Sequence, residues 1–216
     1  MTPAVANVLR PVSKTASIEA HVDWAIEDLL ATLPKPGQLS ADQRRGILAR
    51  YTAVLEGNFI YWMTGAYISA GSEEARAKIM DNLREEVRDC HPGMLRRFAI
   101  AAHAVPTDAD AQAVYRNLTN VRVFIGRLSP VPTVVTMAFF EGFIQRFMPY
   151  LADLAQRQGS AEMEYTDVHG ICDITHTQEL FRALAAEMEL APPLPPEEMF
   201  EGITLLRALI QSIVNN

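Results

Sequence analysis

Two histidines and an aspartate carry the clearest chemical signal in the chain. His169, Asp173 and His176 lie in the stretch Tyr165-Thr-Asp-Val-His-Gly-Ile-Cys-Asp-Ile-Thr-His176, at i, i+4 and i+7. On a helix, at ~100° per residue, side chains so spaced project within roughly 60° of one another. Two imidazoles and a carboxylate converging on one spot suit a borderline divalent cation. The spacing also describes a polar stripe facing water, because Ile171, Ile174, Leu180 and Leu184 fall elsewhere on the same helix. On this cluster alone both readings stand.

Isolated acids inside apolar segments add to the first reading. Glu141 sits in Val134-Val-Thr-Met-Ala-Phe-Phe-Glu-Gly-Phe-Ile144. A bare carboxylate is expensive to bury, so it needs a partner. A metal is one answer, and an arginine such as Arg127 or Arg146 is the other. Glu56 has Phe59, Ile60 and Met63 as helical neighbours, or else stands half-exposed at a helix edge. Glu86 continues the stripe of Ile79, Leu83 and Cys90, whereas Glu85 turns toward Asp81 and Asn82 and reads as solvated. His91 follows at a helix break, where a kink could carry it to the same centre or leave it as a capping residue. His21 and His103 are poorer candidates by position. Cys90 and Cys172 read as small core residues, since no soft-metal spacing surrounds them.

The elements that must position these residues are all helical. Apolar periodicity predicts helices over about 17–33, 41–70, 72–90, 92–104, 108–127, 130–158, 166–190 and 197–214. Ser40 with Gln43 reads as a capping box, and Thr107 and Thr166 read as caps. His91-Pro92 marks a boundary, because proline disfavours helical geometry at the residue before it. The run 191–196 reads as a stiff proline-rich linker to the last helix, and 1–14 as a flexible N-terminus. The expectation is a single all-α domain of about eight helices over 1–216.

Bulk properties narrow the function. The 216 residues are 49% hydrophobic, enough for a sizeable core, and carry a net charge of −7 with no Lys/Arg-rich run. This argues against nucleic acid as a partner. The longest apolar run, Val131 to Ile144, is interrupted by Glu141 and too short to span a bilayer, which argues against a membrane protein. Two cysteines and no apolar leader core predict a cytoplasmic protein. Phosphate-binding loops, HExxH and GxSxG are absent from the sequence. No Glu-x-x-His pair occurs either, which disfavours a ferritin-type di-iron bundle.

With these residues in place the chain resembles the heme-oxygenase-like di-iron oxidases and oxygenases, relatives of the thiaminase-II type fold. The matching pattern is a glutamate on a long helix, a glutamate then a histidine about a helix break, another glutamate, then His-x3-Asp-x2-His. Here these are Glu56, Glu86 with His91, Glu141, and His169, Asp173 and His176. The likeness spans about 40–190; its one departure is a short Glu86-to-His91 spacing, which leaves Glu85 and Glu86 as alternatives. The resemblance implies a heme-oxygenase-like multi-helix bundle holding two irons on those seven side chains, with dioxygen as co-substrate. It implies oxidation of a small amino-acid-like molecule by desaturation, hydroxylation or cyclisation. A fainter similarity to azetidine-forming enzymes of natural-product biosynthesis points to an aliphatic L-amino acid. Its carboxylate would need a cation, for which Arg127 and Arg146 are candidates. An external electron donor and a homodimer are open as partners. Two other readings compete: a metal-free thiaminase-II or quinone-cofactor type enzyme on the same fold, and a helical interaction protein whose buried acids pair with arginines.

Overall fold

The computed structural model describes residues 14–215, and these are helical nearly throughout, with no strand among them. The expected flexible N-terminus lies almost wholly outside the described residues. Nine helices follow in order: α1 Lys14–Ala31, α2 Ala41–Ser69, α3 Glu73–Arg88, α4 His91–Ala101, α5 Asp108–Ile125, α6 Pro130–Arg157, α7 Glu164–Leu190, α8 Pro196–Met199 and α9 Glu201–Asn215. A 3-10 turn, Pro36–Gln38, links α1 to α2.

α6 is the centre of the bundle. It carries apolar residues on every side from Val131 to Ile144, broken by Thr133, Thr136 and Glu141, and is buried over that whole span, so other helices must surround it. It packs along α7 and against α2, α9 and α1. The apolar faces of α1 (Val22, Ile26, Leu29), α2 (Leu48, Trp62, Met63) and α9 (Leu206, Leu209, Ile210) close one connected core. Among the described residues no helix is long and apolar enough to cross a membrane.

Most helix starts follow the chemistry read from sequence. Ser40 and Gln43 form the reciprocal capping box of α2, Ser72 caps α3, and Thr107 with Asp110 caps α5. Two expectations change. α7 starts at Glu164, and Thr166 lies inside it, its hydroxyl donating to the Met163 carbonyl rather than accepting from the backbone. The last predicted helix is two pieces, because Phe200 leaves helical geometry and stacks on His21 with ring centroids 4.0 Å apart. Gly202, just after that break, brings α9 so close to Thr136 and Phe124 that a β-carbon there would collide with both.

The α3–α4 break matters most for the site. Five residues along an unbroken helix, Glu86 and His91 would point about 140° apart. Cys90 stands between the helices in the left-handed region, at φ 56° and ψ 45°. This turns the chain sharply, and Pro92 fits the first turn of α4, where no backbone N–H is needed. The turn brings His91 Nδ1 within 2.6 Å of Glu86 Oε1.

Candidate metal centre

Six of the seven predicted ligands converge in the core between α3, α4, α6 and α7. Glu86, His91, Glu141, His169, Asp173 and His176 are each at most 5% exposed. They divide into two neighbouring groups.

The first group is Glu86, His91 and His169, whose ligand atoms lie within 4.8 Å of one another. His169 Nδ1 is 2.7 Å from the Tyr165 carbonyl, which can only accept, so Nδ1 carries the proton. Nε2 is thereby left as a lone pair, 3.9 Å from Glu86 Oε1. Burial, reinforced by nearby His91, lowers His169 to about 4, so it stands neutral near pH 7. Glu86 is pushed the other way: burial raises its carboxyl despite the His91 bond. The His91 and His169 rings meet edge to face at 4.5 Å.

The second group is Asp173, His176 and Glu141. His176 Nδ1 faces Asp173 Oδ1 at 3.4 Å and Glu141 Oε2 at 3.8 Å, yet hydrogen-bonds to neither. Its Nε2 points outward to Glu85 Oε2 at 2.9 Å. Asp173 Oδ2 is likewise buried without a partner. Burial, then the charge of Glu141, raises Asp173 well above the carboxylate range. Burial opposes a charged His176, but the surrounding Asp173, Glu141 and Glu85 outweigh it and raise the imidazolium to about 11. Asn82 donates to Glu141 Oε1 at 2.6 Å, fixing that carboxylate.

Among the described residues no lysine or arginine reaches these three buried carboxylates. Arg127 pairs with Glu201, and Arg146 with Asp23 and Glu27, at the surface. Neither is therefore the partner of Glu141, and neither lines the cavity beside it, so the sequence candidates for a substrate-binding cation are corrected. Two orphaned buried atoms, Asp173 Oδ2 and His176 Nδ1, carboxylates balanced only by a titratable histidine, and a His169 held with Nε2 free make a donor set that fits divalent metal ions.

Glu56 is not brought into either group. Arg96 takes its carboxylate, with Nε 2.6 Å from Oε1, across α2 and α4. Glu85, read as solvated, is half-buried and holds His176. Cys172 donates to Asp173 Oδ1 at 3.2 Å, and burial among carboxylates raises its thiol, so it is no activated nucleophile.

Sequence reasoning missed Asn82, Tyr165 and Tyr51. Asn82 is one turn before Glu86 and Tyr165 one turn before His169, so both shared a face already singled out. Tyr165 and Tyr51 join hydroxyl to hydroxyl at 2.7 Å, and burial raises both phenols. No sequence signal marks Tyr51.

A cavity adjoins both groups. It is lined by Glu86, His91, His169, Glu141, Asp173 and Tyr165 on one side, and by Leu55, Phe59, Ile60, Pro92, Leu95, Phe140 and Ile144 on the other. The profile of a family described as iron-containing redox enzymes, of heme-oxygenase type, matches residues 48–209. No curated protein matches the chain.

Proposed function

The chain belongs to the heme-oxygenase-like family of iron-containing redox enzymes, and on that premise we propose that it is a di-iron oxidase acting with dioxygen on a small aliphatic, amino-acid-like substrate. The observation that carries this reading is the buried pair of donor groups: three carboxylates and three imidazoles, with Asp173 Oδ2 and His176 Nδ1 left without a partner and no lysine or arginine of the described residues beside them. Glu86, His91 and His169 would hold one ion, and Asp173, His176 and Glu141 the other. Glu56, one turn from the cavity-lining Phe59 and Ile60, would supply a fourth carboxylate, and four carboxylates balance two divalent ions. Bound iron supplies the redox steps with dioxygen that side chains cannot perform.

The protein's own residues prepare the site. The Tyr165 carbonyl fixes His169 so that Nε2 faces inward. Glu85 accepts a hydrogen bond from His176 Nε2 and turns Nδ1 inward. A hydrogen-bond acceptor behind a ligating histidine sets its tautomer and raises its basicity. Asn82 aims Glu141. The apolar wall of Leu55, Phe59, Leu95, Phe140 and Ile144 excludes water and suits an aliphatic chain. Desaturation, hydroxylation or ring closure are the outcomes open to such a chain, and an aliphatic L-amino acid from natural-product biosynthesis is the substrate we favour.

The metal-free alternative needs a cysteine nucleophile or a His/Tyr cluster; Cys172 is held protonated, and the Tyr165 hydroxyl bonds to Tyr51 rather than to a histidine. The interaction-protein alternative needs arginines beside the buried acids of the centre, and none of the described residues supplies one to Glu86, Glu141 or Asp173. The test is anaerobic Fe(II) loading, then stopped-flow absorbance on mixing with oxygen, alone and with a panel of aliphatic amino acids. The expected result is a transient visible band hastened by one of them. Iron uptake without any oxygen reaction under every condition would overturn the oxidase reading.

A further inference from the structure

Exposure along the lining of the cavity places its mouth. Of all the residues lining the cavity, only Ile60 and Pro92 are more than marginally exposed; the rest are buried. The mouth therefore lies between α2 and α4 at these two residues. Glu56 stands one helical turn before Ile60, and Arg96 one turn after Pro92. The Glu56–Arg96 ion pair thus spans the two helices beside the opening.

That pair is imperfectly matched. Both the Nε and the Nη2 of Arg96 donate to the same oxygen, Oε1 of Glu56. A guanidinium presents a planar fork that fits two carboxylate oxygens side by side. The Arg96 side chain is also 68% exposed, so it is open to an incoming anion. Among the described residues no lysine or arginine lines the cavity itself, and the adjacent Arg97 is paired with Glu164. The cavity holds only about 30 Å³, room for a water or two. Any larger ligand must part α2 from α4 at the mouth, where Glu56 and Arg96 tie them together.

Resting on the oxidase reading above, we propose that Arg96 is the group that binds the substrate's carboxylate, and that Glu56 is its internal stand-in when substrate is absent. A carboxylate entering at the mouth displaces Glu56 from Arg96 and makes the two-oxygen pair. Its aliphatic chain then lies along Phe59, Leu95 and Phe140 toward His91 and His169. The exchange keeps Arg96 paired, loosens the tie between α2 and α4, and releases Glu56 for the metal centre. The substrate class is accordingly an aliphatic carboxylic acid, with the acid group at the mouth and the chain end at the irons.

The test is calorimetric binding of hexanoate, L-valine and L-isoleucine, each against its amide, to the full iron-loaded protein kept anaerobic. Wild type should prefer at least one acid over its amide by about tenfold or more, as a charge-assisted pair provides. Arg96→Gln should erase that preference with iron content unchanged, Arg96→Lys should keep part of it, and Arg97→Gln should keep it all. A preference surviving in Arg96→Gln, equal binding of acid and amide by wild type, or no binding of any acid would each overturn the proposal. Iron content is read separately: a wild type that takes up no iron sinks the oxidase reading, while acid binding lost in Arg96→Gln would still support this one.

Discussion

Glu85 and Glu86 are adjacent in sequence, and the structure gives them different work, so removing each should fail differently. Glu85 accepts from His176 Nε2 at 2.9 Å, and its side chain is 44% exposed. A hydrogen bond to a charged partner contributes roughly 1.5–3 kcal/mol. Half-exposure to water screens this pair, so the lower end applies. About 1.5 kcal/mol is roughly tenfold in affinity, within the 10–100-fold typical for residues that support a metal ligand from behind. Glu85→Ala should therefore weaken one Fe(II) ion, the one at His176, by about tenfold and leave the other intact. Glu85→Gln, whose amide oxygen still accepts, should lose no more than about threefold. Glu86→Gln removes a donor of the first group and should abolish the ion at His91 and His169. Anaerobic Fe(II) titration by calorimetry resolves the two binding steps. Wild-type affinity in Glu85→Ala, or loss of the His91–His169 ion in that variant, would refute the assignment.

Three further outcomes follow from the same geometry. In the metal-free protein His176 holds its proton to about 11, and burial raises Asp173 and Glu86, so metal ions must displace protons; Fe(II) affinity should rise with pH and loading should release protons into weakly buffered solution, whereas pH-independent binding would contradict this. His169, lowered to about 4, is already neutral and should contribute nothing to that release. Burial disfavours the Asp110 carboxylate, but bonds from Arg45 and Thr107 outweigh it and hold it below the usual range; its contribution is present above the unfolded value near 4 and disappears as pH falls through the folded one, and Asp110→Ala should cost about 1–2 kcal/mol by thermal or urea melting at neutral pH, with the deficit vanishing in acid. At the left-handed, exposed Cys90, Cys90→Gly should match or exceed wild-type stability, and Cys90→Val should lose about 1–2 kcal/mol in urea; equal stability of the two would remove the strain argument.

Much of the centre was legible because helices make spacing into geometry. His169, Asp173 and His176 share a face by count alone, and an acid such as Glu141 inside an unbroken apolar run must be buried with a partner. The capping boxes placed α2 and α5 for the same local reason. What sequence could not give were tertiary choices between equivalent groups. Arg127 and Arg146 are as available on paper as Arg96, and only packing sends them to Glu201, Asp23 and Glu27. Glu85 was read as solvated from its helical angle, but its carboxylate reaches across to His176 on α7. Tyr51 gave no signal, because its partner Tyr165 lies 114 residues away. Glu56 met a competitor, Arg96, that no periodicity reveals.

Two separate donor groups in one core are proposed to hold one iron each. Iron analysis after anaerobic Fe(II) loading of wild type, His91→Ala and His176→Ala tests this directly, with circular dichroism to confirm folding. About two irons per chain are expected in wild type and about one in each variant, if the two histidines serve different ions as proposed. A wild type that never exceeds one iron, or folded variants that both retain two, would contradict it.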